Sequence, residues 1–268
     1  MTTLFDTLRR RTLLAALSLT ALTFGGAASA ETIRIGVTPG PHAEIVEALV
    51  PVARAKGLDV KVIESSDGVM INTATNDGEL EANAFQHVPY LEGQVKERGL
   101  KLVSVAKTVL LPMAAYSKRF PKADALPSGA VVAIPNDPTN AGRALKLLEV
   151  GGLLKLKPGL GFNTTILDIT ENPKKLRIRE LEAAQIPRSL EDVDLAVINT
   201  NYAIRAGLNP IKDSLLREGD LSEYFCLVAV RQADLDKPWV KTLAEAYRSP
   251  EVKAFVEAKY QGNILAGW

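Results

Sequence analysis

Of 268 residues, one is cysteine, Cys226, and two are histidine, His42 and His87. A single thiol excludes an internal disulfide, so stability must come from packing, which a chain of this length can supply without covalent staples. Two histidines far apart in sequence and one cysteine make a poor ligand set, so no metal site and no cofactor is expected. Catalytic signatures are missing as well: there is no Gly-x-Ser-x-Gly elbow, no phosphate loop ending in Gly-Lys-Ser/Thr and no His-Glu-x-x-His. The sequence therefore gives an enzyme little to stand on. Neither sign of charge dominates, with 32 basic against 31 acidic residues, which argues against a nucleic-acid or lipid-headgroup partner. No apolar run approaches the roughly 20 residues that span a bilayer.

What is present begins with a targeting pattern. Arg9, Arg10 and Arg11 precede an apolar stretch from Leu13 to Phe24, and the small residues Ala28, Ser29 and Ala30 follow. Residues 1–30 are predicted to be a cleaved signal peptide, leaving Glu31 as the first mature residue. Arg10-Arg11-Thr12-Leu13-Leu14 also resembles a twin-arginine signal, so the general and twin-arginine export routes both fit. No cysteine precedes Cys226, and on that ground the mature protein is expected to be periplasmic and free of lipid. Without residues 1–30, which carry three arginines and one aspartate, the formal charge moves from +1 to −1. The remaining chain is long enough for two lobes, each with its own core.

The mature chain opens on Thr32-Ile33-Arg34-Ile35-Gly36-Val37, whose alternation predicts a strand, and Thr38-Pro39-Gly40-Pro41 stops it. From His42 to Lys56 the residues Ile45, Val46, Leu49, Val50 and Ala53 recur at helical spacing, with Pro51 inside and Gly57 at the end. A strand over 59–64 completes a strand-helix-strand unit of the parallel kind, so the fold class is α/β. Val88, Leu91 and Val95 predict another helix, and Lys101 to Val105 a strand. A second lobe is expected to begin near Met113. It should hold a strand at Val131 to Ile134, a helix from Asn140 to Val150, strands at Ile166 to Ile169 and Arg177 to Leu181, and a strand at Leu195 to Ile198. The expected division is 31–112 plus 203–268 for one lobe and 113–202 for the other. The segment from Pro238 to Tyr260 predicts two helices broken at Ser249-Pro250.

Three clusters could carry chemistry. Pro135-Asn136-Asp137-Pro138-Thr139-Asn140 joins a buried-type strand to a helix that carries Arg143 in its expected first turn. Such loops bind ligands in open α/β sheets, and a cation near the positive end of a helix dipole suggests an anion that offsets it. A carboxylate held by a bidentate fork would fit; a solvated surface arginine would fit the spacing too. Phe85-Gln86-His87-Val88-Pro89-Tyr90 gathers two aromatic rings and an imidazole, equally suited to a pocket wall and to core packing. Asn199-Thr200-Asn201-Tyr202 follows a strand, where amides can meet an ammonium or a carboxylate, or Asn199 can cap a helix. Cys226 lies in an apolar run and reads as a small buried hydrophobe.

Together, Asn83-Ala84-Phe85-Gln86-His87, Pro135 to Arg143, Glu171-Asn172-Pro173-Lys174, Ala196-Val197-Ile198-Asn199-Thr200 and the terminal Gly267-Trp268 resemble the methionine-binding subunits of ABC importers, the NlpA/MetQ family. The resemblance implies a two-lobed periplasmic binding protein of the type II kind. Its lobes are joined by a hinge, and a small amino acid, methionine foremost, is enclosed between them. It implies a monomer that delivers ligand to an inner-membrane permease and ATPase, and no catalysis. Arg143 would hold the ligand carboxylate with help from Asn140, Asn199 or Asn201 would meet the amino or carboxylate group, and Phe85, His87 and Tyr90 would line the side-chain pocket.

Three departures bear on the ligand. Gly68, in Ser66-Asp67-Gly68-Val69, stands where the family usually has an aromatic residue; Val109 and Leu111 stand where aromatics are frequent; and Cys226 replaces an asparagine. Loss of a ring and an amide is expected to enlarge the cavity or weaken methionine. Another amino acid, a methionine derivative or a short peptide is the alternative ligand. Two rival functions are an exported enzyme using His87 as base and Cys226 as nucleophile, and a surface protein that no longer binds solute.

Overall fold

The computed structural model describes residues 31–220 and 222–268; the expected targeting segment lies outside them. In β1 (Glu31–Val37) the alternating Ile33, Ile35 and Val37 are buried, and α1 (Pro41–Ala55) turns Ile45, Val46, Leu49 and Ala53 into the same core. Gly40, at φ +89°, takes the chain out of the strand, and Pro41 opens the helix where its missing N–H leaves nothing unsatisfied. The helix runs through Pro51, and β2 (Leu58–Glu64) then pairs with β1 in parallel along its whole length. Helix α2 (Gly68–Asp77) has no clear apolar period; the Asp67 carboxylate starts it by accepting from the N–H groups of Val69 and Met70. There follow β3 (Ala82–Asn83), α3 (Val88–Arg98) and β4 (Leu102–Leu110), which runs on through Val109 and Leu110 beyond the strand predicted to Val105.

The chain crosses through Leu111, Pro112 and Met113 into a second sheet with β5 (Ala114–Tyr116), β6 (Val131–Pro135) and α4 (Pro138–Val150). A two-stranded ribbon of β7 (Lys155–Leu156) and β8 (Ile169–Glu171) comes next. Ile166 to Asp168 forms a 3-10 turn rather than the expected strand, because the Asp168 carboxylate takes both the N–H and the hydroxyl of Thr165. The sheet is completed by β9 (Arg177–Leu181), β10 (Leu195–Ile198) and, after α5 (Thr200–Arg205), by β11 (Leu216–Arg217). The pairing of Leu216 and Arg217 with Ala115 and Ala114 puts them in the second sheet, not with the first lobe as expected. The return comes afterwards, at β12 (Phe225–Arg231), followed by α6 (Pro238–Tyr247), α7 (Pro250–Tyr260) and β13 (Leu265–Ala266). Ser249 separates the last two helices by accepting from the Val252 N–H.

The first sheet has the order β13-β4-β12-β3-β1-β2 and the second β11-β5-β10-β6-β9. Leu49, Trp239, Leu243, Val252 and Val256 are among the residues that bury the helical side of the first. Val132, Ile134, Leu145, Leu148 and Val197 form a separate core in the second. Within each sheet three neighbouring strands pair in parallel: β1, β2 and β3 in one, β6, β9 and β10 in the other.

Candidate ligand-binding site

A cavity of about 610 Å³ lies where the carboxyl ends of these parallel strands meet. Its walls include Thr38 after β1, Asp67 and Gly68 after β2, Phe85 to His87 after β3, Asn136, Asp137 and Asn140 after β6, Glu182 to Gln185 after β9 and Asn199 to Tyr202 after β10. Strand ends of open α/β sheets present loop amides and helix starts to the same space, the usual place for a ligand. All nine residues singled out in sequence, Gly68, Phe85, His87, Tyr90, Asn140, Arg143, Asn199, Asn201 and Cys226, border this cavity. Leu111 does too, whereas Val109 is fully buried in the first core.

The aromatic wall is set by polar anchors behind it. Gln86 and Asn83 are buried and exchange hydrogen bonds with Asn72 and with each other, so the segment leading to His87 is fixed on both sides of Phe85. The Phe85 and Tyr90 rings meet edge to face at 6.1 Å. A Cβ added to Gly68 would come within 2.6 Å of Phe85 Cε2 and 3.2 Å of the Tyr90 hydroxyl. Phe85 therefore occupies the ground next to Gly68, and the missing ring does not leave a simple void there.

His87 caps α3, its Nδ1 accepting the Tyr90 N–H at 3.1 Å. That fixes the tautomer: the proton sits on Nε2 and is donated to Asn140 Oδ1 at 3.0 Å. Burial, with the nearby Arg143 charge, pushes the imidazole down to about 3. Asn140 Oδ1 also accepts from Asn199 Nδ2 at 2.9 Å, while its own amide donates to both oxygens of Asp137 at 3.1 and 3.0 Å. Asn140 thus ties the first sheet to the second. Asn199 begins α5 without a side-chain cap bond, and its Oδ1 is buried with no partner. Asn201 is buried beside it.

Arg143 lies in the second turn of α4, not the first, where the dipole argument fades. The anion that offsets it belongs to the protein. Glu218 accepts from Nε at 2.7 Å and from Nη2, which also donates to the Leu111 carbonyl at 2.9 Å. Tyr224 stacks 4.3 Å from the guanidinium carbon and meets His87 edge to face at 5.1 Å. Gly142 permits the approach of α4 to the loop behind it, since a Cβ there would stand 2.5 Å from the Phe162 carbonyl oxygen.

Sequence reasoning missed Glu218 and Tyr224, which have no motif and come from the crossing back to the first sheet. It also passed over His42 and Thr38. Both border the cavity, both are buried, and His42 Nδ1 and Thr38 Oγ1 have no hydrogen-bond partner. Burial lowers His42 to about 4. Cys226 pairs with His87 through the backbone, and burial pushes its thiol up to about 12. A thiol raised and an imidazole lowered are the reverse of an activated pair, and both His87 nitrogens are already engaged. Among the described residues no group of three or more His, Cys, Asp or Glu side chains could hold a metal ion.

Two sheets joined by two crossings, with a polar and aromatic cavity at their facing strand ends, define a two-lobed substrate-binding fold. The chain belongs to the family described as NlpA lipoprotein, whose sequence model matches residues 33–268. It is 48% identical over 239 residues to the D-methionine-binding lipoprotein MetQ of Salmonella typhimurium, covering 88% of each chain. Among solved structures it is similar to a nutrient-binding protein from Burkholderia cenocepacia bound to methionine, at 51% identity and a TM-score of 0.86, covering 88% of this chain and 100% of that one. It is also similar to an ABC transporter periplasmic substrate-binding protein from Coxiella burnetii, at 46% identity and a TM-score of 0.85, covering 88% and 100%. The expectation of a protein that is not a lipoprotein is overturned by these relationships: the family and its relatives carry the lipoprotein description. That expectation rested only on a thiol missing near the N-terminus, a negative observation that the family membership outweighs.

Proposed function

We propose that this chain is the substrate-binding component of an ABC importer, working in the periplasm after export, and that it binds methionine between its lobes and passes it to a permease and ATPase pair. The observation that carries this is the pairing of unengaged polar atoms on one cavity wall: Asn199 Oδ1 lacks a partner, and among the described residues Arg143 Nη1 has none. An acceptor and a cationic donor on residues that line the same cavity suit the ammonium and carboxylate of a free amino acid. Phe85 and Tyr90 supply the apolar end for its side chain, with Leu111 and Cys226 nearby. The likeness to a methionine-bound protein names the side chain. In this reading His87 and Asn140 act as the clasp between lobes, and Asn201 as a further polar wall. Catalysis has no place in it, because the only thiol and its neighbouring imidazole are both held uncharged by burial.

A thermal-shift panel of L- and D-amino acids and methionyl dipeptides tests the assignment. A ligand at one hundred times its Kd stabilises the folded state by about 2.7 kcal/mol, a shift of several degrees. Methionine is expected to give the largest shift. A scaffold retuned at Gly68 and Cys226 to another amino acid or a methionine derivative would instead show in the same panel as a larger shift with a different ligand. No shift with any member would remove the transport function.

A further inference from the structure

We propose that Glu218 is a positioning residue that decides which edge of Arg143 a ligand meets, so that the ligand carboxylate is held by Nη1 alone. The inference rests on the amino-acid-binding function above and goes beyond it. A guanidinium has two edges suited to a bidentate carboxylate, and here the protein fills one of them. Glu218 takes Nε at 2.7 Å and Nη2, and the Leu111 carbonyl takes Nη2 again at 2.9 Å. Glu218 is itself immobilised from both ends: Met113 N–H donates to its Oε2 at 2.8 Å, and its own N–H donates to the Met113 carbonyl at 2.9 Å. Tyr224 covers one face of the guanidinium at 4.3 Å. Arg143 borders the cavity, while Glu218 and Tyr224 stand behind it and do not.

Two consequences follow from this arrangement. The carboxylate anchor is fixed to Leu111 and Met113 on one crossing between the sheets and to Glu218 on the other, so its position is tied to the hinge. And a buried ion pair with side-chain exposures of 4% and 12% leaves little net charge to attract an anion, so the contact is directional rather than a long-range pull.

These two roles, aiming the arginine and neutralising it, predict opposite results when Glu218 is removed. If it aims Arg143, its loss frees the side chain to swing and weakens carboxylate binding; if it only neutralises, its loss unmasks a positive charge and strengthens it. Calorimetric titration of L-methionine and of L-methioninamide, which lacks the carboxylate, into the wild type, Glu218→Ala and Glu218→Gln separates them. Glutamine keeps the shape, but its amide nitrogen cannot accept from Nη2 or from Met113.

L-methionine affinity is expected to fall about tenfold or more in both variants, the size of a lost charge-assisted hydrogen bond, with methioninamide changing less than about threefold. Methionine affinity that is unchanged or higher, or an equal loss for both ligands, would overturn the proposal. Should neither variant fold, a crystal structure of the wild type with L-methionine decides: the carboxylate should lie on Nη1 while Nε and Nη2 stay on Glu218, and a carboxylate that has displaced Glu218 contradicts it. A wild type that binds neither ligand removes the amino-acid assignment, and the role of Glu218 with it.

Discussion

Arg143→Ala is expected to lower methionine affinity by at least about a hundredfold and to destabilise the protein by about 3–5 kcal/mol. The first loss follows from removal of the only cationic side chain that, among the described residues, lines the cavity, a truncation that typically costs about 2–5 kcal/mol at a buried charge pair. The second follows from what remains: the Glu218 carboxylate, with its side chain 12% exposed, would keep the Met113 N–H but lose its cation. Breaking a buried pair from one side is costly because the other charge is stranded. The double variant Arg143→Ala, Glu218→Ala should therefore recover part of the stability and none of the binding. Titration calorimetry and urea denaturation measure the two effects separately. A single variant as stable as the wild type would show that the pair is not an energetic unit.

Acid is expected to lower the stability of the protein from about pH 6.5 downward. Both histidines are buried and neutral, His42 lowered to about 4 by burial and His87 to about 3 by burial and by the charge of Arg143. In the unfolded chain each takes up a proton near 6.5. Between those limits the unfolded state binds more protons than the native one, so this contribution is complete above pH 6.5 and is lost as pH falls toward 4 and then 3. Each histidine should remove at most about 1.4 kcal/mol per pH unit once below its unfolded value. Held below its ordinary range by the Val131 N–H, Asp194 adds a loss of the same sign at lower pH. Urea midpoints measured from pH 7.5 to 4.5 should fall steeply, and His42→Gln should remove about half the slope. A flat profile down to pH 5 would mean that the histidines are protonated or solvated in the native state.

What could be read in the sequence was what local physics controls. The Ile33-Ile35-Val37 alternation and the Ile45-Val46-Leu49-Ala53 spacing lie on the buried faces they predict, because burial on a strand or helix follows its period. The helix expected from Asn140 starts two residues earlier, at Pro138, because the Asp137 carboxylate caps it by accepting the Asn140 N–H. Helix α2 escaped because its buried face is made of Asn72 and Thr75 as well as Ile71, polar residues satisfied by an amide network that no hydrophobic pattern reveals. Glu218 escaped for another reason. It is 75 residues from Arg143, and only the meeting of two crossings brings them together. The dipole argument for an anion at Arg143 found an anion of the protein's own. Asn140, marked by its motif, has its oxygen and amide engaged by His87, Asn199 and Asp137, contacts between segments far apart in sequence that no local pattern shows.

The central claim is that one free amino acid, methionine, occupies the cavity between the sheets. Its most direct test is titration calorimetry of L- and D-methionine into protein that has been unfolded, dialysed and refolded to remove any ligand carried through purification. The account predicts saturable heat with a stoichiometry close to one per chain for at least one enantiomer, abolished by Arg143→Ala. Absence of saturable heat for both enantiomers, in refolded protein whose cooperative thermal unfolding shows it to be native, would contradict it.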